Sequence, residues 1–119
     1  MLFRVDPTST MPLGDQIAAS VRRAVAEERV VPGERLPAAR VLAESLGVNV
    51  HTVLRGYQQL REEGLIELRR GRGAAVTGSA SSHRARLLER VREVAADARE
   101  LGMTEEELLA LVRTVLGSS

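Results

Sequence analysis

The sequence predicts a mostly α chain carrying one small β-hairpin (α+β), with a two-helix tail after it. Three observations predict this. Apolar residues recur at steps of three and four through most of the chain. The stretch Leu65-Ile66-Glu67-Leu68-Arg69 instead alternates, and glycines flank a turn immediately after it. Gly78-Ser79-Ala80-Ser81-Ser82 then separates this first part from two further helical stretches and reads as a linker.

The elements follow in order. Residues 2–6 are expected to form a short edge strand, ended by Pro7 and the Pro-Thr-Ser-Thr cluster. Pro12 suits the first turn of a helix, where its missing N–H is not needed. Leu13, Ile17, Val21, Ala24 and Val25 form the apolar stripe of that first helix, which fades near Glu28. Val31-Pro32-Gly33-Glu34 is a turn. A second, shorter helix is expected over about 37–46, with Gly47 as its left-handed stop. Asn49 is a good N-cap for a third helix over about 50–63, ended by Gly64. On it Val53, Tyr57 and Leu60 share the core face, while Val50, His51, Leu54, Arg55 and Gln58 lie towards the other side. Leu65–Arg69, the turn Arg70-Gly71-Arg72-Gly73 and the return Ala74–Thr77 make an antiparallel hairpin with a basic tip. Beyond the linker, a helix over about 82–101 carries Leu87, Val91, Val94, Ala98 and Leu101, and Gly102 stops it. Thr104 caps a last helix, with Glu107 at the capping-box position and a stripe of Leu108, Leu111, Val112 and Val115 widened by Leu109 and Leu116.

Composition narrows the function. There is no cysteine and there are only two histidines, His51 and His83, so thiolate or histidine-rich metal sites have nothing to use. No cofactor and no metal is called for, and no acid–base constellation marks an enzyme. Phe3 and Tyr57 are the only aromatics, too few to stack unpaired bases, which disfavours RNA. No segment is apolar enough to span a membrane and no signal-peptide core opens the chain, so a soluble, cytoplasmic protein is expected. All seventeen basic residues are arginine and the net charge is only +1. Their distribution is more informative than the total. Between Arg35 and Gly73 seven arginines face four glutamates, whereas from Ser79 onwards six face seven acids. Whatever binds an anion therefore sits in the middle of the chain.

Helices two and three joined through Gly47 satisfy the demands of a helix-turn-helix. Ala43 is small where the helices meet, Gly47 tolerates the turn, and Val53 locks the angle. Gly56 is expected to let these two helices come close. A basic hairpin directly after the second of these helices makes a winged helix-turn-helix. The chain then divides into a winged unit, 1–78, and a helical tail, 79–119.

Pro12-Leu13-x-x-Gln16-Ile17, Pro32-Gly33-x-x-Leu36-Pro37-x-x-Arg40-x-Leu42-Ala43, Leu46-Gly47-Val48-Asn49, Thr52-Val53, Tyr57-x-x-Leu60, Glu63-Gly64-Leu65-Ile66 and Arg70-Gly71-x-Gly73 together resemble the GntR family of bacterial transcription regulators. The likeness covers residues 12–76. Val48-Asn49, Thr52-Val53-x-Arg55-x-Tyr57 and the short tail are similar to its YtrA-type subfamily. The resemblance implies a homodimeric repressor that binds double-stranded DNA at a (pseudo)palindromic operator, often near an ABC-transporter operon, with no large effector domain. The resemblance matches Arg40 to the family arginine that reaches the DNA, and position and charge add Asn49, His51, Thr52, Arg55, Arg69, Arg70, Gly71, Arg72 and Gly73 to the same face. Arg55 is the base reader, Thr52 contacts phosphate and the wing lies on backbone or minor groove. It places Leu87, Val91, Val94, Ala98, Leu101, Leu108, Leu111, Val112 and Val115 in a dimer interface, which the width of the apolar stripes also argues for. A small-molecule effector between tail and winged unit is marked by no residue pattern. Ala38 and Gly14 depart from the family pattern, which commonly has serine and tyrosine there, and Val50 stands where many members, though not typically those of this subfamily, have arginine. The competing reading is a winged helix that binds an acidic protein partner.

Overall fold

In the computed structural model, which describes residues 3–69, 71, 73–77 and 82–118, the chain runs α1 (Leu13–Ala26), α2 (Ala39–Leu46), α3 (Val50–Glu62), β1 (Ile66–Arg69), β2 (Gly73–Val76), α4 (Ser82–Glu100) and α5 (Glu105–Gly117). Pro12 stands at the N-cap of α1, and Ile17, Ala18, Val21, Ala24 and Val25 are buried along one face. Glu28, with φ +57°, closes this helix in the left-handed region, and the Arg29 N–H donates back to the Ala24 carbonyl. A non-glycine residue there costs about 1–2 kcal/mol, which the closing hydrogen bonds of the turn offset.

Between α2 and α3 the chain turns at Gly47, φ +68°, and the Val48 N–H donates to the Ala43 carbonyl. Ala38 holds the N-cap of α2 without a side-chain hydrogen bond, as an alanine in a serine's place must. Asn49 does cap α3, its Oδ1 accepting from the His51 N–H at 2.8 Å. Leu42, Ala43, Val53, Tyr57 and Leu60 meet α1 in one core. Two expectations need correction. Val50 is half-buried against that core rather than turned away, because the first turn of α3 lies close to its neighbours. The close approach at Gly56 is to α1: a Cβ there would lie 2.8 Å from the Gly14 carbonyl oxygen and 3.2 Å from Ile17 Cβ. Gly14 is the other half of that crossing, since its own Cβ would lie 3.2 Å from the Thr52 carbonyl oxygen.

The strands β1 and β2 pair antiparallel, with Ile66 opposite Val76 and Arg69 opposite Gly73. Residues 3–6 form no strand, although Phe3 is buried. The segment that extends the hairpin is instead 33–36. The Gly33 N–H donates to the Val76 carbonyl, Val76 N–H to Glu34, and Leu36 N–H to Ala74, with Arg35 bridging Ala75. Backbone groups of β2 that would otherwise face water or the core unpaired are satisfied there. Arg70, Arg72 and the linker residues 78–81 lie outside the described residues.

Two compact units result, Met1–Leu88 and Glu89–Ser119, so the division falls within α4 rather than in the linker. The opening turns of α4 belong to the first unit. Ala85 is buried, Leu88 packs on the core, Arg84 donates to the Glu63 carbonyl and Arg86 to the Ala26 carbonyl. In the second unit Gly102, φ +70°, ends α4 and the Met103 N–H returns to the Ala98 carbonyl. The expected capping box opens α5: Thr104 Oγ1 accepts from the Glu107 N–H and Glu107 Oε1 accepts from the Thr104 N–H. Among the described residues no helix is long and apolar enough to cross a membrane.

Candidate nucleic-acid interface

Helix α3 is divided lengthwise. Thr52, Val53, Gly56, Tyr57 and Leu60 face inwards, while His51, Leu54, Arg55 and Gln58 are exposed. Three anchors hold the inner face. Arg22 of α1 donates both Nε and Nη2 to the Glu63 carboxylate, each at 3.0 Å, with side chains 4% and 13% exposed. The Tyr57 hydroxyl donates to the Pro37 carbonyl at 2.7 Å, and burial pushes that phenol up to about 12. The glycine crossing with α1 is the third. What faces solvent is therefore presented by a fixed helix, as readout of a groove requires.

Asn49, His51, Thr52, Leu54, Arg55 and Gln58 line one open cleft of about 610 Å³. A second, of about 380 Å³, runs between the start of α1 (Pro12–Asp15) and Thr52 with Arg55. Arg55 stands between the two, exposed and without an ion-pair partner among the described residues. Arg40, near the start of α2, is also exposed, and makes no pair with Glu44 or any other described residue. A bare guanidinium, with its planar fork of donors, suits phosphate or the O6/N7 edge of guanine. Asn49 is exposed and has committed its oxygen to the cap, and its amide donors have no partner among the described residues. Thr52 differs from its expected placement: it is only 9% exposed, though it lines both clefts.

In the wing, Arg69 donates Nε and Nη2 to Glu67, at 3.3 and 3.1 Å, so its charge is matched rather than bare. Both side chains are about half exposed, and such a pair is worth little in water. Gly71 and Gly73 both have positive φ with open space around the missing Cβ, as a tight tip requires. Of the tail residues, Leu87, Val91, Val94, Leu101, Leu111, Val112 and Val115 are exposed, Leu108 is half-buried and Ala98 is buried. No residue of α5 is buried.

Leu54 and Gln58, expected on the outward side of α3, are exposed there but were not among the expected DNA contacts. The signal was in the spacing, since each lies three residues beyond a site residue, His51 or Arg55. Among the described residues no group of three acidic, histidine or cysteine side chains could hold a metal ion. A cleft of about 570 Å³ lined by Arg4, Asp6, Gln16, Arg23 and Arg29 involves no residue of α2, α3 or the hairpin.

An exposed, cation-bearing second helix of a helix-turn-helix, followed by a hairpin, defines the winged helix-turn-helix DNA-binding regulators. The family model "Bacterial regulatory proteins, gntR family" matches residues 13–76, and the chain belongs to that family. It is 28% identical to the HTH-type transcriptional repressor YtrA of Bacillus subtilis, over 96% of this chain and 92% of that protein. It is 34% identical to the HTH-type transcriptional regulator Rv1152 of Mycobacterium tuberculosis, over 90% of this chain and 88% of that one. The solved structure of YtrA from Sulfolobus acidocaldarius, a GntR-family transcription factor, superposes with a TM-score of 0.62 at 29% identity, covering 98% of this chain and 97% of that one. The protein is thus a DNA-binding transcriptional regulator of YtrA type, not an enzyme, and the acidic-partner reading is not favoured.

Proposed function

We propose that the protein is a homodimeric repressor acting in the cytoplasm at a (pseudo)palindromic operator near its own gene. Helix α3 lies in the major groove, the wing rests on adjacent backbone or minor groove, and the tail joins the two copies. The observation that carries this reading is the division of α3 into an anchored inner face and an outer row holding His51, Arg55 and Gln58. Arg55 reads a base, Arg40 and the amide of Asn49 hold phosphate, and Thr52 serves from the cleft wall. Arg69, Arg70, Gly71, Arg72 and Gly73 seat the wing, with Arg69 exchanging Glu67 for phosphate.

Dimerisation has its own physical support. A thirteen-residue helix with no buried side chain is marginal in water. Covering Val91, Val94, Leu101, Leu111, Val112 and Val115 with a second copy removes the exposed stripe and doubles the bases read. The repressor role follows the Bacillus subtilis relative, which is named as one, and a transporter operon is the target the YtrA-type resemblance implies.

Selection of bound sequences from random duplexes, followed by titration across salt concentrations, tests the proposal. A two-fold-symmetric sequence should emerge, two chains should bind it, and log K should fall by about 0.9 per phosphate contact for each decade of salt. Arg40→Ala and Arg55→Ala should lose the duplex and keep the dimer. Salt-independent binding, or one chain per duplex, contradicts it.

A further inference from the structure

We propose that Leu54 is a specificity-determining residue that reads the C5-methyl group of a thymine in each operator half-site. This rests on α3 entering the major groove. Leu54 is 45% exposed on the outer row of α3, three residues after His51 and next to Arg55. Isolated exposed leucines are ordinary on protein surfaces. This one is distinguished by its company: the cleft it lines is otherwise formed by Asn49, His51, Thr52, Arg55 and Gln58, all polar. It is an apolar side chain held in a polar row by a helix that the glycine crossing and the Arg22–Glu63 pair keep in place.

The floor of the major groove offers that side chain one matching group. Each base pair presents donors and acceptors there, and thymine alone adds a methyl. Leu54 against thymine buries that methyl and its own exposed branch together. Against a G·C pair it would instead cover the cytosine amino group or the guanine acceptors with nothing to bond them, which is unfavourable. The residue selects for thymine and against G·C at the same position, while Arg55 and Gln58 beside it supply the hydrogen-bonded contacts.

Deoxyuridine lacks only that methyl, so the test is a single-group deletion on the DNA. On the selected operator each thymine is replaced singly by deoxyuridine, and Kd is measured for the full chain and for Leu54→Ala. Alanine at an exposed helix position keeps the fold, checked by thermal melting. The wild-type chain should lose about fourfold in affinity at one thymine per half-site, the effect of burying one methyl, and about fifteenfold when both are replaced. Leu54→Ala should bind the thymine and deoxyuridine operators equally at that position. The proposal is overturned if no thymine is sensitive, or if the sensitivity survives in Leu54→Ala. An operator that is bound but indifferent to deoxyuridine sinks this assignment and leaves the groove reading standing. Failure to select any duplex sinks both.

Discussion

Replacing Gly56 by alanine puts a methyl group 2.8 Å from the Gly14 carbonyl oxygen and 3.2 Å from both Cβ and Cγ2 of Ile17. On helix propensity alone the change would stabilise α3 by about 1 kcal/mol. The obstacles do not yield easily. One is main chain within α1, and the other belongs to Ile17, which is fully buried. Ordinary contact begins near 3.4 Å, so α1 must retreat from α3 by roughly half an ångström along its main interface. Forcing a methylene into a packed interior costs about 1–3 kcal/mol, and the net expectation is a loss of about 1–2 kcal/mol. Gly14→Ala is the matched control. Its Cβ meets the Thr52 carbonyl oxygen at 3.2 Å and two further atoms only at 3.7 Å, so gain and cost should nearly cancel. Urea unfolding at one fixed chain concentration should show a lower midpoint for Gly56→Ala, an unchanged slope, and little change for Gly14→Ala. A Gly56→Ala chain as stable as wild type, or a Gly14→Ala chain that loses more, would refute the crossing as described.

Other outcomes follow from the same anchors. Arg22→Met should destabilise the first unit by about 3 kcal/mol, because the Glu63 carboxylate loses its bidentate partner; Glu63→Gln should cost less in the same urea assay. Tyr57→Phe should cost about 1 kcal/mol through the Pro37 carbonyl it leaves without a donor. Tyr57 is the chain's single tyrosine, so its ultraviolet titration reads it alone, with a midpoint expected at about 12 rather than 10. Since the folded value is the higher one, this contribution to stability is complete below pH 10 and is lost as pH rises towards 12. Glu107 has the opposite sign: hydrogen bonds from the backbone N–H and then the side chain of Thr104 hold its carboxyl below the ordinary 4.5. Its contribution is present above that value and lost as pH falls through the lower one, so the helical circular dichroism of α5 should weaken with acid, and less so in Glu107→Gln.

Much of this architecture was legible because it rests on local chemistry. Gly47, Asn49, Gly102 and the Thr104–Glu107 box each fix a helix end through bonds a few residues away, and the stripe of α1 needs only the helical period. What was not legible depends on distant partners. The strand expected at residues 2–6 has the right composition, but the edge of β2 is taken by 33–36, a stretch that Pro32 and Gly33 make look like a simple turn. Val50 has the same spacing as an outward residue and is drawn inwards by packing. The candidate DNA face shows the same division. Arg40 could be chosen from the family likeness and Arg55 from charge and position, and both are exposed and unpaired among the described residues. The match of Arg69 by Glu67, two residues away on the same strand, depends on side-chain rotamers, and the burial of Thr52 on tertiary packing, neither of which spacing fixes.

On the proposed function, α3 reads the major groove of duplex DNA in two symmetric copies, with Arg55 in contact with a base. Methylation interference at guanine N7 on the selected operator probes that groove directly. Symmetry-related guanines should block the wild-type chain when methylated, and Arg55→Ala should become indifferent at one of them in each half-site. Interference that is absent, lies on one half only, or is unchanged in Arg55→Ala would contradict that placement of α3.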